Sequence, residues 1–166
     1  MIYSSVALDA PLDQGDLIDD CPVLLVRALT PDPAAPDARF ETQRVAVLTQ
    51  TCDLANDKTS VVTVAEVQNA QFFVDEGILK PSDIKGPLRS GRIWGLCFLP
   101  ADPALGLPEM IVDFRRLHTV KLDVLRTLCA AGKRPGRIQP LYREHLAKHF
   151  ADTFSRIGLP RPYETL

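Results

Sequence analysis

Between Arg44 and Asn56 the chain runs from Val45-Ala46-Val47-Leu48, a continuous apolar segment, straight into Thr49-Gln50-Thr51-Cys52-Asp53 with no loop residue in between. A short unbroken apolar run is the pattern of a buried strand. A sheet must therefore surround this segment, and its polar side chains are expected to emerge where the strand ends. Asp53, Asn56 and Asp57 then favour a turn, because their side chains bond their own backbone. The next run, Val61 to Val67, is dense in β-branched residues, which suit a pleated, half-buried surface. The two runs are expected to pair antiparallel.

Further strand signals lie at Leu17-Ile18, at Cys21 to Val26 beyond Asp19-Asp20, at Arg92 to Leu99, and at Glu109 to Phe114 with Leu117 to Val120. Arg27 to Thr42 reads as a loop, and its section 31–38 as an exposed one. Pro31, Pro33 and Pro36 each remove a backbone donor and restrict the residue before them. Asn69 can cap a short helix from Ala70 to Glu76, closed by Gly77. Beyond residue 121 the period changes. Leu122, Leu125, Leu128 and Cys129 share one face of a helix closed by Gly132, and a longer helix opens at Pro140 and closes at Gly158. Its stripe is Tyr142, Leu146, Phe150 and Ile157. The expectation is a single α+β domain over 1–166: a strongly curved antiparallel sheet or small β-barrel, with two C-terminal helices in 121–158, packed on one side.

The four cysteines stand far apart, with no Cys-x-x-Cys pair and no histidine at ligand spacing, so a zinc ribbon or finger is excluded. Cys97 and Cys129 lie in apolar surroundings and read as buried thiols. No run of about 18 apolar residues occurs, and Met1 to Ser5 has neither a basic nor an apolar signal region, so a cytoplasmic protein without a membrane segment is expected. Charge is unevenly placed. Residues 1–113 carry 8 Lys and Arg against 17 Asp and Glu, whereas residues 114–166 carry 11 against 4. Such a division either pairs within the fold or presents a basic face to an anionic partner.

Three chemistries follow from the residue types. Cys52 with Asp53 could act as a thiolate site if a base approached, and His118 is the candidate base. Carboxylates suit oxygen-ligated ions, as in Asp53, Asp57 and Asp113 or equally in Asp16, Asp19 and Asp20, but acidic residues are common in this chain, and no metal or cofactor is expected. Arg115, Arg116, Lys133, Arg134, Arg137 and Arg143 gather basic charge near a helix start. A nucleic acid or an acidic protein is the expected partner.

Gly15-Asp16-Leu17, Arg44 to Leu54, Val112 to Arg115 and Arg156 to Pro160 together resemble an uncharacterised bacterial family with a Gln-Ser/Thr-Cys-Asp core. That likeness implies a bacterial cytoplasmic protein. Gly15-Asp16 followed by Arg44 and its apolar strand is also similar to the opening of PemK/MazF-type toxin barrels, which implies metal-independent RNA cleavage with Arg44 at a functional position. Two readings result: a binding module that engages an anionic partner through Arg115, Arg116, Arg134, Arg137 and Arg143, and an endoribonuclease whose catalytic candidates are Arg44, Cys52, Asp53 and His118.

Overall fold

The computed structural model describes residues 1–32, 35–56 and 58–155. Seven strands form one antiparallel sheet: β1 (Tyr3–Ser4), β2 (Asp16–Ala28), β3 (Asp37–Val47), β4 (Val61–Asn69), β5 (Leu96–Leu99), β6 (Met110–Lys121) and β7 (Gly136–Ile138). Their spatial order is β1-β7-β2-β3-β4-β6-β5, so β1 and β5 are edges and the sheet is not closed. It is strongly curved: Pro22 to Leu24 of β2 and Leu117 to Lys121 of β6, separated in that order by β3 and β4, line a common cleft. The helices are α1 (Thr51–Ala55), α2 (Ala70–Asp75), α3 (Pro81–Asp83), α4 (Leu122–Ala130) and α5 (Pro140–Phe154).

Alternation along the strands sorts the core onto two faces. Ala46, Ala65, Val67, Met110, Val112 and Phe114 pack with Leu146 of α5, and Phe150 lies against the same cluster. Val45, Val47, Val62, Val64 and Val120 turn the other way and meet Leu122, Leu125 and Cys129 of α4, with Leu54 of α1. The two C-terminal helices thus cover opposite faces rather than one side. A third cluster closes the β5 edge, where Phe73 of α2 and Leu88 pack on Leu96 and Ile111.

Several local expectations are corrected. Residues 37–42 are not loop: they extend β3 and pair with β2, Leu24 opposite Phe40 and Val26 opposite Ala38. Asp19-Asp20 does not interrupt β2 but bulges it, with Asp20 in left-handed backbone at φ 56° and a register shift between Ile18 and Cys21. The turn expected after Cys52 is the helix α1. The helix α3 runs into a π-helical turn over Ile84–Leu88. The β5 strand begins at Leu96 rather than Arg92. The long helix ends at Phe154, capped by Ser155; Gly158, Ile157 and the segment Arg156 to Pro160 lie outside the described residues. Among the described residues no helix is long and apolar enough to cross a membrane.

Three thiols are held protonated by burial, which pushes Cys21 up to about 11, Cys97 up to about 12, and Cys129 upward as well. A group whose folded pKa is raised binds its proton more tightly in the fold. That contribution is whole below the ordinary thiol range and is lost as pH rises through the folded value. Denaturant midpoints are therefore expected to fall between about pH 8.5 and pH 11. Cys21→Val should shrink that fall, and an unchanged slope in the variant would exclude Cys21 as its source.

Candidate functional site

The five arginines of the expected basic face divide into two sets, each built on buried carboxylates. The first set gathers around Asp16, which is 0% exposed. Its Oδ1 accepts from Arg137 Nε at 2.6 Å, and its Oδ2 accepts from Arg137 Nη2 at 2.9 Å, Arg134 Nη1 at 3.1 Å and the Asp13 amide at 2.9 Å. Asp13 in turn takes Arg143 Nη1 at 2.9 Å and the Thr51 hydroxyl. Arg134 also donates to the carbonyls of Ala7, Ala10 and Pro11, while its Nε is buried without a hydrogen-bond partner among the described residues. This hub ties residues 7–16, α1, β7 and α5 together. Gly15 sits inside it at φ +83°, where an added Cβ would meet Ile138 Cβ at 3.2 Å and Arg143 Cγ at 3.3 Å. The Gly15-Asp16 pair is thereby explained by packing and charge. Arg134, 6% exposed, is not part of any surface.

The second set lies where β4 meets β6. Three residues, Phe114 to Arg116, are looped out of β6 between the pairs Glu66–Asp113 and Ala65–Leu117. The bulge turns both arginines back onto acids. Arg115 grips Asp113 with Nε at 2.8 Å and Nη2 at 2.7 Å, and this fork holds its pKa above the ordinary guanidinium value against the cost of burial. Its stem lies over Gly95, where a Cβ would stand 2.8 Å from Arg115 Cγ. Arg116 Nη1 donates to Glu66 Oε2 at 3.1 Å, and His118 Nε2 lies 2.8 Å from Glu66 Oε1. Glu66 is 1% exposed, so a buried side chain anchors one arginine and one histidine at the margin of the sheet.

His118 opens onto a cleft of about 480 Å³ between the β2–β3 arm and β6, lined also by Phe40, Thr119 and Lys121. Phe40 is 75% exposed, and Arg39 beside it is paired with Glu41. The cleft thus sets an accessible aromatic ring on one wall against His118 and Lys121 on the other, with Arg116 joined to His118 through Glu66.

The remaining candidates do not converge there. Arg44 shares the face of Ala46, bonding Asp19 and approaching Met110 Sδ at 3.2 Å, whereas His118 stands opposite Val64 on the other face. Cys52 is exposed on the helix α1 rather than at a strand end, and its thiol faces Gln50 Oε1 at 3.7 Å and Asp53 Oδ1 at 3.8 Å. The Asp53 carboxylate pairs with Lys58 Nζ at 3.6 Å instead of capping backbone amides. No Cys52–His118 pair is formed.

Among the described residues no group of three His, Cys, Asp or Glu side chains is placed to hold a metal ion. Asp57 lies outside those residues. Asp113 is taken by Arg115, Asp19 by Arg44 and Asp20 by Lys133.

Glu66 escaped the reading of the sequence as a site residue, and Asp16 is read there only as a candidate ion ligand, not as the acceptor of Arg134 and Arg137. The signal for Glu66 was a lone carboxylate inside a β-branched strand, and that for Asp16 was the charge division between the two parts of the chain. No family model matches this sequence, and no curated protein is significantly similar to it.

Proposed function

We propose that the chain is a binding module that engages single-stranded nucleic acid in the cleft between the β2–β3 arm and β6. One observation carries the reading: the exposed Phe40 ring lines the same cleft as His118 and Lys121 of β6. A base stacks on any aromatic face while nearby cations follow the phosphates, which is the arrangement a sequence-tolerant single-strand site needs. The anionic contact is thereby assigned to Lys121, with Arg116 on the same strand. Arg134, Arg137 and Arg143 serve the fold through Asp13 and Asp16.

Titration of labelled random-sequence RNA and DNA at two salt concentrations tests this. Phe40→Ala is expected to weaken binding by about 1–3 kcal/mol. Lys121→Gln should lower the salt slope by about 0.7 on single strands, whereas Lys148→Gln on α5 should change neither. Absence of wild-type binding at low salt rejects the nucleic-acid reading and leaves an acidic protein as the partner.

The Glu66–His118 contact favours a second reading, a metal-independent endoribonuclease of the PemK/MazF type. With Nε2 held by Glu66, the ring keeps Nδ1 to take the proton of a ribose 2′-hydroxyl. The freed oxygen attacks the adjacent phosphorus, the 5′-oxygen leaves with a proton from water, and Arg116 offsets charge on the phosphate. Cleavage of RNA but not of all-deoxy substrate in the presence of chelator, lost in His118→Ala, is the expected result. Intact RNA after prolonged incubation with the wild type excludes it.

A further inference from the structure

Away from the nucleic-acid cleft, a cavity of about 450 Å³ opens between α5 and the β5 edge. Its volume falls in the range of small-molecule sites. One wall is a single face of α5, where Tyr142, His145, Leu146 and His149 succeed one another at helical spacing. The opposite wall is apolar, from Cys97 to Pro100 with Ile2 and Leu88. Cys97 belongs to the apolar lining because burial keeps its thiol protonated up to about 12.

Charge in this cavity has one sign. Among the described residues no carboxylate lines it, and Arg89 is the one permanently charged lining residue. The Arg89 guanidinium is fixed in place: its carbon stands 4.5 Å over the Phe98 ring and its Nη2 donates to Glu109 Oε1 at 2.5 Å outside the lining. A guanidinium has five N–H donors, so donors remain after that pair is made. On the other wall His149, lowered by burial, presents a neutral ring packed edge-on against Phe114 at 5.5 Å. His145 and Tyr142 add further polar atoms at the mouth.

We infer that this cavity is a binding site for a small apolar carboxylate, its hydrocarbon body among Leu88, Leu99 and Leu146 and its carboxylate on Arg89. The apolar walls supply area, and the cation, already desolvated on one side by Phe98, selects the anion. A carboxylate on a guanidinium gains a charge-assisted hydrogen bond that a neutral amide of the same shape makes more weakly.

Trp94, the single tryptophan of the chain, reports on this region, since its Nε1 donates to the Thr153 carbonyl of α5 at 3.2 Å and it shares a second, smaller cleft with His149. Titration of the full chain with 4-phenylbutanoate and with 4-phenylbutanamide, followed by Trp94 fluorescence, is the test. Saturable binding of the carboxylate is expected, with the amide about tenfold weaker. Arg89→Gln should bring the two ligands to the same affinity while the melting temperature stays near that of the wild type. Should that variant fail to fold, the wild-type ratio of the two probes still decides. Equal affinity of the wild type for both probes, a preference that survives Arg89→Gln in a folded variant, or no saturation by the carboxylate overturns the assignment.

Discussion

Asp16→Ala is expected to remove about 3–5 kcal/mol of stability, because it leaves buried guanidinium charge without its counterion. Asp16 receives Arg134 and Arg137 with no solvent to replace it, and the Arg134 side chain is 1% exposed. Arg134, in the connection between α4 and β7, also holds the N-terminal segment by donating to the carbonyls of Ala7, Ala10 and Pro11. Loss of the acid should therefore loosen residues 7–16 along with the global fold. Urea midpoints measure the first effect, and amide exchange in that segment the second. The double variant Asp16→Ala with Arg134→Met should recover part of the loss, since removing both partners of a buried pair costs less than removing one. A single-variant loss under about 1 kcal/mol would show that the hub is not what holds the segment down.

Phe114→Ala should be nearly as damaging, at about 3–5 kcal/mol. Phe114 is 0% exposed at the start of the β6 bulge, and its ring meets His149 and Phe150 at 5.5 Å each. It is the sheet side chain whose ring meets the aromatic rings of α5. An alanine leaves a cavity that cannot collapse without moving either the bulge, pinned by the Phe114 amide on Gly95 O at 2.8 Å, or the helix. Phe150→Ala, at a site only partly buried, is expected to cost less. Guanidinium denaturation of the two variants orders them. A Phe114→Ala midpoint equal to that of Phe150→Ala would place the weight of the α5 contact elsewhere.

Those two residues also show where local pattern stops being informative. Phe114 was readable as a strand residue, but not that three residues are looped out of β6 there, because a bulge depends on the register of the partner strand. His118 was readable as a candidate base by residue type. Its actual partner, Glu66, lies 52 positions away on β4, and no spacing rule joins them. Arg44 and Cys52 belong to the same short segment; residue chemistry alone groups Cys52 with His118, and the likeness to toxin barrels adds Arg44. Alternation put Arg44 on the opposite face, and the polar run that looked like a strand end coiled into α1.

What the amino-acid sequence determined by itself was whatever depends on neighbours a few residues apart. The β-branched run of Val61 to Val67 became β4, Asn69 capped α2 by accepting from the Gln71 amide, and Pro140 opened α5 at its first turn. The apolar period of Leu122, Leu125 and Cys129 buried that face of α4. These signals are local because propensity, capping and amphipathic period act within one element. Tertiary structure decided the rest. The two-residue β1 and three-residue β7 carry no pattern of their own and exist because β1 pairs with β7 and β7 with β2. The residues after Pro36 became strand because β2 offered them a hydrogen-bonded partner. The acidic body and the basic end were visible as a charge division, but only the folded chain could turn it into Arg134 and Arg137 on Asp16 and Arg116 on Glu66. Burial removes the water that would otherwise solvate those charges, and each must then find its counterion across the sheet.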